Sequence, residues 1–299
     1  IFGPTGSGKS AVAEALAERL PAELVSADAM QVYRDLPVLT NQSPHPTHLV
    51  GIFSLDHDAS LGEYAGLAHA AIDEILASRR VPIVVGGTGL YLRAALVDLL
   101  LPPPPAPGAR ERWQRMYDEG GSATAHELLN DLDSAAAAKV HPNDRRRVVR
   151  ALELAEQGAS LAPERARLWD EETRHPTLIV GLDVPKDVLR RRIETRTRRM
   201  FECGVEEEVE RALTRPLSAT ARKTLGLEEI ATLPRAAAEA AIVRRTIQYA
   251  AYQRKWMRRI PGLASVAADR SPDEVADAIL ALGRERERLR ADGGRGSHA

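Results

Sequence analysis

An α/β fold, a parallel sheet flanked by helices and interrupted by a small all-helical insertion, is predicted by three observations. The chain opens with Gly3-Pro4-Thr5-Gly6-Ser7-Gly8-Lys9-Ser10, which satisfies the phosphate-loop pattern G-x-x-x-x-G-K-[S/T] directly after a strand stub. Apolar or β-branched runs then alternate with helix-period segments, the arrangement that yields a parallel sheet covered on both faces. Over residues 104–142 the strand-like runs stop, and only Ala- and charge-rich helical sequence remains. The expected class is a P-loop NTPase-like α/β core made of residues 1–103 and 143–268. Residues 104–142 form the helical insertion, and 269–299 a C-terminal helix with a disordered tail.

Composition bounds the function classes. At 299 residues, 44% hydrophobic and 28% charged, the chain reads as an ordinary globular protein of one large or two modest domains. It contains no apolar run of the ~20 residues that cross a bilayer. It opens inside the first strand without a methionine, so residues are expected before Ile1. The single cysteine, Cys203, excludes an internal disulfide and suits a reducing cytoplasm; it reads as a small apolar helix residue rather than a reactive thiol. Net charge is −1, yet arginines cluster over 145–150, 190–199 and 244–259, which favours a local anionic partner.

The elements follow in order. Ile1-Phe2 is the stub of the first strand, and the helix over 11–20 aims its positive end at the loop. Residues 23–26 read as a short buried strand ending at Ala27-Asp28-Ala29-Met30-Gln31, where open α/β sheets place ligands. Residues 49–53 look like a further strand. Ser60 and Glu63 form a capping box for a helix whose apolar face is Tyr64, Leu67, Ala68, Ala71, Ile72 and Ile75. Residues 80–85 are a β-branched strand running into Gly86-Gly87-Thr88-Gly89, where three glycines suggest a ligand-facing turn. The proline-rich 101–108 is a stiff spacer. Asp144 caps a helix over 145–157 that Gly158 stops. Residues 177–182 resume the sheet, Asp183 caps an Arg-rich helix ending at Gly204, and residues 205–213 form an acidic helix. A long helix over 236–259, a last strand over 263–267 and a helix opened by Ser271 complete the fold; the charged tail from Arg284 is expected to be disordered.

The chemistry starts at the loop. Thr5, Gly6, Ser7, Gly8, Lys9 and Ser10 are the candidate diphosphate cradle, with backbone N–H groups and the lysine on phosphate oxygens and the Ser10 hydroxyl on Mg²⁺. Asp28 lies beside the loop if the two first strands are sheet neighbours, where a carboxylate holds metal through water or takes a proton from a nucleophile; otherwise it caps Met30. Arg222 and Lys223, if they return to the loop, stabilise a leaving phosphate; otherwise they are a solvated pair. These residues alone describe a Mg²⁺-phosphate enzyme with basic faces. A P-loop small-molecule kinase fits them too.

Taken together, the motifs resemble the tRNA dimethylallyltransferase family. The matching residues are Gly3 to Ser10, Ser26-Ala-Asp-Ala-Met-Gln-Val-Tyr-Arg34, Val85-Gly-Gly-Thr-Gly-Leu-Tyr91, His141-Pro-Asn-Asp144 with Arg147 and Arg150, Gly204 with Glu208-Val209, and the spacing of Gln248, Gln253 and Trp256. They run in order over most of the chain. The resemblance implies that the loop holds dimethylallyl diphosphate, with Mg²⁺, and that the dimethylallyl group passes to the exocyclic 6-amino group of the adenosine 3′-adjacent to the anticodon of tRNA. It implies that Asp28 takes the amine proton and that Thr88 lies across the channel. Lys9 and the pair Arg222-Lys223 offset the diphosphate charge. Asp28, Ala29, Met30, Gln31 and Thr88 line the pocket of the flipped adenine. Arg110, Arg146, Arg147 and Arg150 contact tRNA, and the insertion embraces the anticodon stem-loop. A cytoplasmic monomer is expected.

Two departures lean toward the adenylate isopentenyltransferases, which act on free AMP, ADP or ATP. Lys223 stands where the family's R-x-x-G segment has arginine, with Arg222 shifted back by one, and Leu39-Thr40-Asn41-Gln42 replaces a G-T-A-K run. The retained insertion and its arginines favour tRNA. A non-catalytic tRNA-binding protein is the remaining alternative.

Overall fold

Two residues, Ile1 and Phe2, stitch the sheet of this protein together. The computed structural model describes residues 1–99, 101–162 and 167–293. One compact unit comprises the residues before Asp98 and after Asp170; the other is Asp98–Asp170. In the first unit, strands β1 (Ala22–Ser26), β2 (Thr47–His48) and β3 (Val81–Val85) pair in parallel in the order β2-β1-β3. Strands β4 (Val180–Asp183) and β5 (Ala264–Ala267) pair in parallel as well. Phe2 bridges Gly86 on one side and Gly181 on the other. Its amide donates to Val180 O at 2.8 Å and its carbonyl accepts from Leu182 N at 2.8 Å. The sheet is thus continuous and parallel, as the alternating pattern predicts.

That order corrects one expectation. The loop strand neighbours β3 and β4, so β1 is one strand removed from it. Asp28 still arrives at the same end of the sheet, because Ser26 is in register with Val85 and Ala27 N donates to Val85 O at 2.8 Å. Apolar side chains of β1, β3, β4 and β5 pack with helices α1 (Lys9–Ala17), α7 (Lys186–Glu202) and α11 (Pro272–Gly293) in one core; Leu16, Leu24, Ile83, Leu182, Ile193 and Ile279 are among its buried members.

Several local expectations change for physical reasons. Residues 49–53 are not a strand, because Leu49 (φ 66°) and Gly51 (φ 63°) break the extended backbone; Phe53 keeps a single bridge to Tyr33. Helix α2 (Leu61–Ala77) starts as predicted, with Ser60 Oγ accepting from Glu63 N, but the Glu63 carboxylate turns to His57 Nε2 at 2.8 Å rather than back to the cap. Leu67 points outward at 39% exposure. Asp183 ends β4 and accepts from Arg254; Pro185 occupies the cap of α7. Cys203 is exposed rather than packed. Helix α11 runs through Arg284 to Gly293, so the expected disorder does not begin at Arg284; residues 294–299 of the tail lie outside the described residues.

The second unit is wider than the expected 104–142. Helices α4 (Ala109–Leu132, kinked at Gly121), α5 (Ser134–Ala137) and α6 (Arg145–Ala155) share one buried cluster that includes Leu129, Val140, Val148 and Leu152. The helix after Asp144 belongs here, and not to the α/β core, because its apolar face closes this cluster. Asp144 caps α6 through Arg147 N at 3.2 Å, as predicted. In the first unit the remaining helices are α3 (Gly89–Leu96), α8 (Val205–Leu213), α9 (Leu227–Thr232) and α10 (Arg235–Met257).

Candidate active site

The phosphate loop is shaped by glycines in left-handed conformation, Gly6 at φ 82° and Gly8 at φ 86°, the latter capping α1. No acidic residue lies in the first turn of α1, so the positive helix end is uncompensated. Ser7 N donates to Pro4 O at 3.0 Å, and Arg192 Nη1 reaches Ser7 O at 3.2 Å from α7. The Ser7 hydroxyl is buried and has no hydrogen-bond partner among the described residues. Thr5 N is already committed to Gln253 Oε1 at 2.7 Å, so that amide braces the loop rather than facing an anion.

Lys9 stands half-buried at the base of α1. Burial lowers its ammonium pKa to about 8; the Asp28 carboxylate works against this shift and the Arg196 guanidinium adds to it. Arg196 itself is depressed by burial and pulled back by Asp28, and its Nε is buried without a hydrogen bond among the described residues. Lys9, Asp28 and Arg196 therefore share one electrostatic environment, with two cations and an uncompensated helix end around one carboxylate. That surplus of positive charge suits a diphosphate.

Asp28 accepts from Met30 N at 3.0 Å through Oδ1, so the modest capping role exists alongside its place near Lys9. Thr88 Oγ1 accepts from Ala29 N at 3.3 Å and lies 3.5 Å from the Tyr249 hydroxyl. Tyr249 has its phenol pushed up to about 12 by burial and then by Asp28, and Tyr91 to about 12 by burial, then by Tyr33 and Asp28. Tyr64 is raised too and donates to Ser26 O at 2.9 Å. These phenols stay neutral donors around the carboxylate at any physiological pH.

The glycines after β3 are each required by protein atoms that approach their backbone. A Cβ on Gly86 would stand 2.1 Å from Ala27 O, on Gly87 2.3 Å from Gln253 Nε2 and on Gly89 2.4 Å from Trp256. Gly86→Ala is expected to cost at least about 3 kcal/mol or to prevent folding, read as the denaturation midpoint. Gly66→Ala, where an added Cβ meets nothing within 4 Å, should be neutral or stabilise by about 0.5–1 kcal/mol.

Gln31 is saturated by its own chain. Its Oε1 accepts from Ser26 Oγ at 3.1 Å, and its Nε2 donates to Thr40 O and Asn41 O at 3.1 Å each. Gln42 donates to Gln31 O and Tyr33 O, and buried Glu208 accepts from Val38 N and Leu39 N at 2.8 Å each. The run 39–42 thus ties down the wall that carries Asp28 to Gln31. Arg222 and Lys223 are exposed in a 3₁₀ turn, Ala221–Lys223, whose neighbour Thr224 touches Met30 Sδ at 3.3 Å. The cation near Lys9 is Arg196 instead. Its signal in the sequence was the i, i+4 pair Arg192 and Arg196 inside the basic run; Tyr249 carried no sequence signal beyond its position between Gln248 and Gln253.

In the helical unit the four expected RNA contacts divide. Arg110 and Arg150 both bind buried Glu153, at 2.9 Å each. Arg146 is exposed, and Arg147 is exposed with only a long contact to Asp144, 3.6 Å. Arg146 and Arg147 stay exposed to solvent, whereas Arg110 and Arg150 are tied to Glu153.

A family model described as IPP transferase matches residues 31–260, and one described as Isopentenyl transferase matches residues 1–53. A tRNA dimethylallyltransferase of Corynebacterium jeikeium is 37% identical over 95% of this chain and 95% of its own. This chain belongs to the tRNA dimethylallyltransferase family. A second family member, from Anaeromyxobacter dehalogenans, is 37% identical over 93% of this chain and 97% of its own. The fold agrees: the crystal structure of the full-length tRNA isopentenylpyrophosphate transferase of Bacillus halodurans superposes with a TM-score of 0.68 at 27% identity, covering 97% of each chain. No helix among the described residues is long and apolar enough to cross a membrane.

Proposed function

We propose that this tRNA dimethylallyltransferase transfers the dimethylallyl group of dimethylallyl diphosphate to the exocyclic 6-amino group of the adenosine 3′-adjacent to the anticodon, in the cytoplasm. The carrying observation is that Asp28 leaves β1 at the end of the sheet where the phosphate loop opens, with Ser26 in register with Val85 and Ala29 N donating to Thr88 Oγ1 at 3.3 Å. A donor diphosphate on the loop and an acceptor base against the 28–31 wall then meet at Asp28. The amine nitrogen forms a bond to the allylic carbon, the carbon–oxygen bond to diphosphate breaks, and the amine proton passes to Asp28. Lys9 and Arg196 stabilise the charge on the departing diphosphate, with Gly6, Ser7 and Gly8 holding it and Thr5 bracing the loop against Gln253.

Magnesium fits this loop. Ser10, half-exposed in the first turn of α1, offers a hydroxyl, and no group of three or more His, Cys, Asp or Glu among the described residues would hold a metal alone. In a phosphate loop the Ser/Thr hydroxyl is the protein group that would hold Mg²⁺, which takes few protein ligands. When bound, it would neutralise leaving-group charge.

The relatives favour tRNA over free AMP as acceptor. Incubation with labelled dimethylallyl diphosphate and either unmodified tRNA or AMP tests this. Label should appear in tRNA; label in AMP alone would overturn the acceptor. Lys9 supplies a pH test. It is charged below a pKa of about 8 and neutral above it, so donor affinity should fall as pH rises through about 8. Lys9→Arg stays charged and should remove that slope between pH 7 and 9, as read by calorimetry.

A further inference from the structure

Gln253 joins the two segments that carry the two halves of the site. It is 2% exposed, and both polar atoms of its side chain are used. Its Oε1 accepts from Thr5 N in the phosphate loop at 2.7 Å, and its Nε2 donates to Gly87 O, beside Thr88, at 2.8 Å. The strands leading into these segments are still paired just before this point: Gly86 N donates to Ile1 O at 3.1 Å, and Phe2 bridges Gly86. Beyond it they part, and Thr88 N turns to Ala27 O at 3.4 Å. A carboxamide has one accepting and one donating edge, as a peptide group has. Gln253 therefore stands in for a rung between two diverging chains, at the carboxyl end of the parallel sheet where such folds hold ligands. Tyr249 and Trp256, four residues before it and three after, lie on the same face of α10. The Tyr249 hydroxyl is 3.5 Å from Thr88 Oγ1, and a Cβ on Gly89 would stand 2.4 Å from the Trp256 ring. The turn is thus held at Gly87, Thr88 and Gly89 in succession, and the amide at its centre also holds the phosphate loop.

We propose that Gln253 is a positioning residue that fixes the separation between the phosphate loop and the Thr88 turn, and so the distance over which the prenyl group is passed. The inference rests on the reading of the reaction centre as Asp28 between the loop and Thr88. Buried, with both edges of its amide bonded to backbone, Gln253 has no atom to offer a substrate and acts only through the two segments it joins. Binding on either side has its own supports. The loop keeps its left-handed glycines and Lys9, and Gln31 is held by Ser26, Thr40 and Asn41. The transfer step has no such reserve, because a displacement of about 1 Å between reacting groups costs about 100-fold in rate.

The test compares two variants of similar side-chain length. Gln253→Met removes both bonds. Gln253→Glu keeps an acceptor for Thr5 N but sets an oxygen against Gly87 O. Each should lower the single-turnover rate of transfer from dimethylallyl diphosphate to tRNA by about 10- to 100-fold, with the KM of both substrates within about threefold of the parent. Hydrogen exchange, read segment by segment, reports the clamp without activity. Gln253→Met should speed exchange over residues 3–8 and 86–89, and Gln253→Glu over 86–89 alone. Parent-like exchange in α2 shows that each variant is folded. A transfer rate within about twofold of the parent in either folded variant, or a loss confined to the KM for tRNA, would overturn the clamp. The expected exchange pattern in a protein whose parent form transfers no prenyl group would instead sink the catalytic reading and leave the clamp standing.

Discussion

Asp28→Ala lowers single-turnover prenyl transfer by about 10²–10⁴-fold while the dissociation constant for tRNA changes by no more than about threefold. The expectation follows from what the side chain touches. One oxygen caps Met30, and the carboxylate acts on Lys9, Arg196 and Tyr249. Alanine removes the proton acceptor and the anion that balances two partly buried cations. It leaves the bonds of Ala29 to Thr88 and of Gln31 to Ser26, Thr40 and Asn41, which hold the acceptor wall. Donor affinity should rise slightly in the variant, because the loop becomes more positive. Rapid-quench measurement with excess enzyme checks turnover, and filter binding checks tRNA affinity. Equal turnover in variant and parent would remove Asp28 from the chemistry.

Arg196→Ala is expected to reduce the same rate by about 10²–10³-fold, the loss typical of removing one stabiliser of developing charge. Arg222→Ala and Lys223→Ala should each cost less than about tenfold. The contrast follows from geometry: Arg196 is depressed by burial, sits in the field of Asp28 and keeps an unpaired Nε, whereas Arg222 and Lys223 are exposed in the turn beside Met30. Inhibition by the product diphosphate should weaken in parallel with Arg196→Ala. A larger loss in Lys223→Ala than in Arg196→Ala would return the leaving-group role to the turn.

Much of this protein was legible in the residues. The phosphate loop, the strands at 22–26 and 81–85, the cap at Asp144 and the helical insertion each rest on local rules of backbone conformation and hydrogen bonding, which act within a few residues. Local rules failed where distant atoms decided. The strand expected at 49–53 was broken by left-handed backbone at Leu49 and Gly51. The three glycines after β3 are demanded by the Ala27 carbonyl, the Gln253 amide and the Trp256 ring, none of which is near them in sequence. The helix after Asp144 reads from sequence as part of the core, because its strand-poor surroundings give no sign of which cluster its apolar face joins.

The sequence by itself determined the phosphate loop, the position of Asp28 at the end of a strand, and the membership of the chain in its family, since all three reside in short ordered motifs. Only the tertiary structure decided which cation joins Lys9. A run of arginines on one helix is degenerate in sequence, and the helix's rotation against the loop turns Arg192 to Ser7 and Arg196 to the Asp28 environment while others of the run stay in water. Likewise Glu208 is remote in sequence from Gln31 and Gln42, yet backbone groups needing partners draw all three into one knot behind residues 28–31. Charge balance and hydrogen-bond satisfaction are properties of neighbourhoods, and neighbourhoods exist only once the chain has folded.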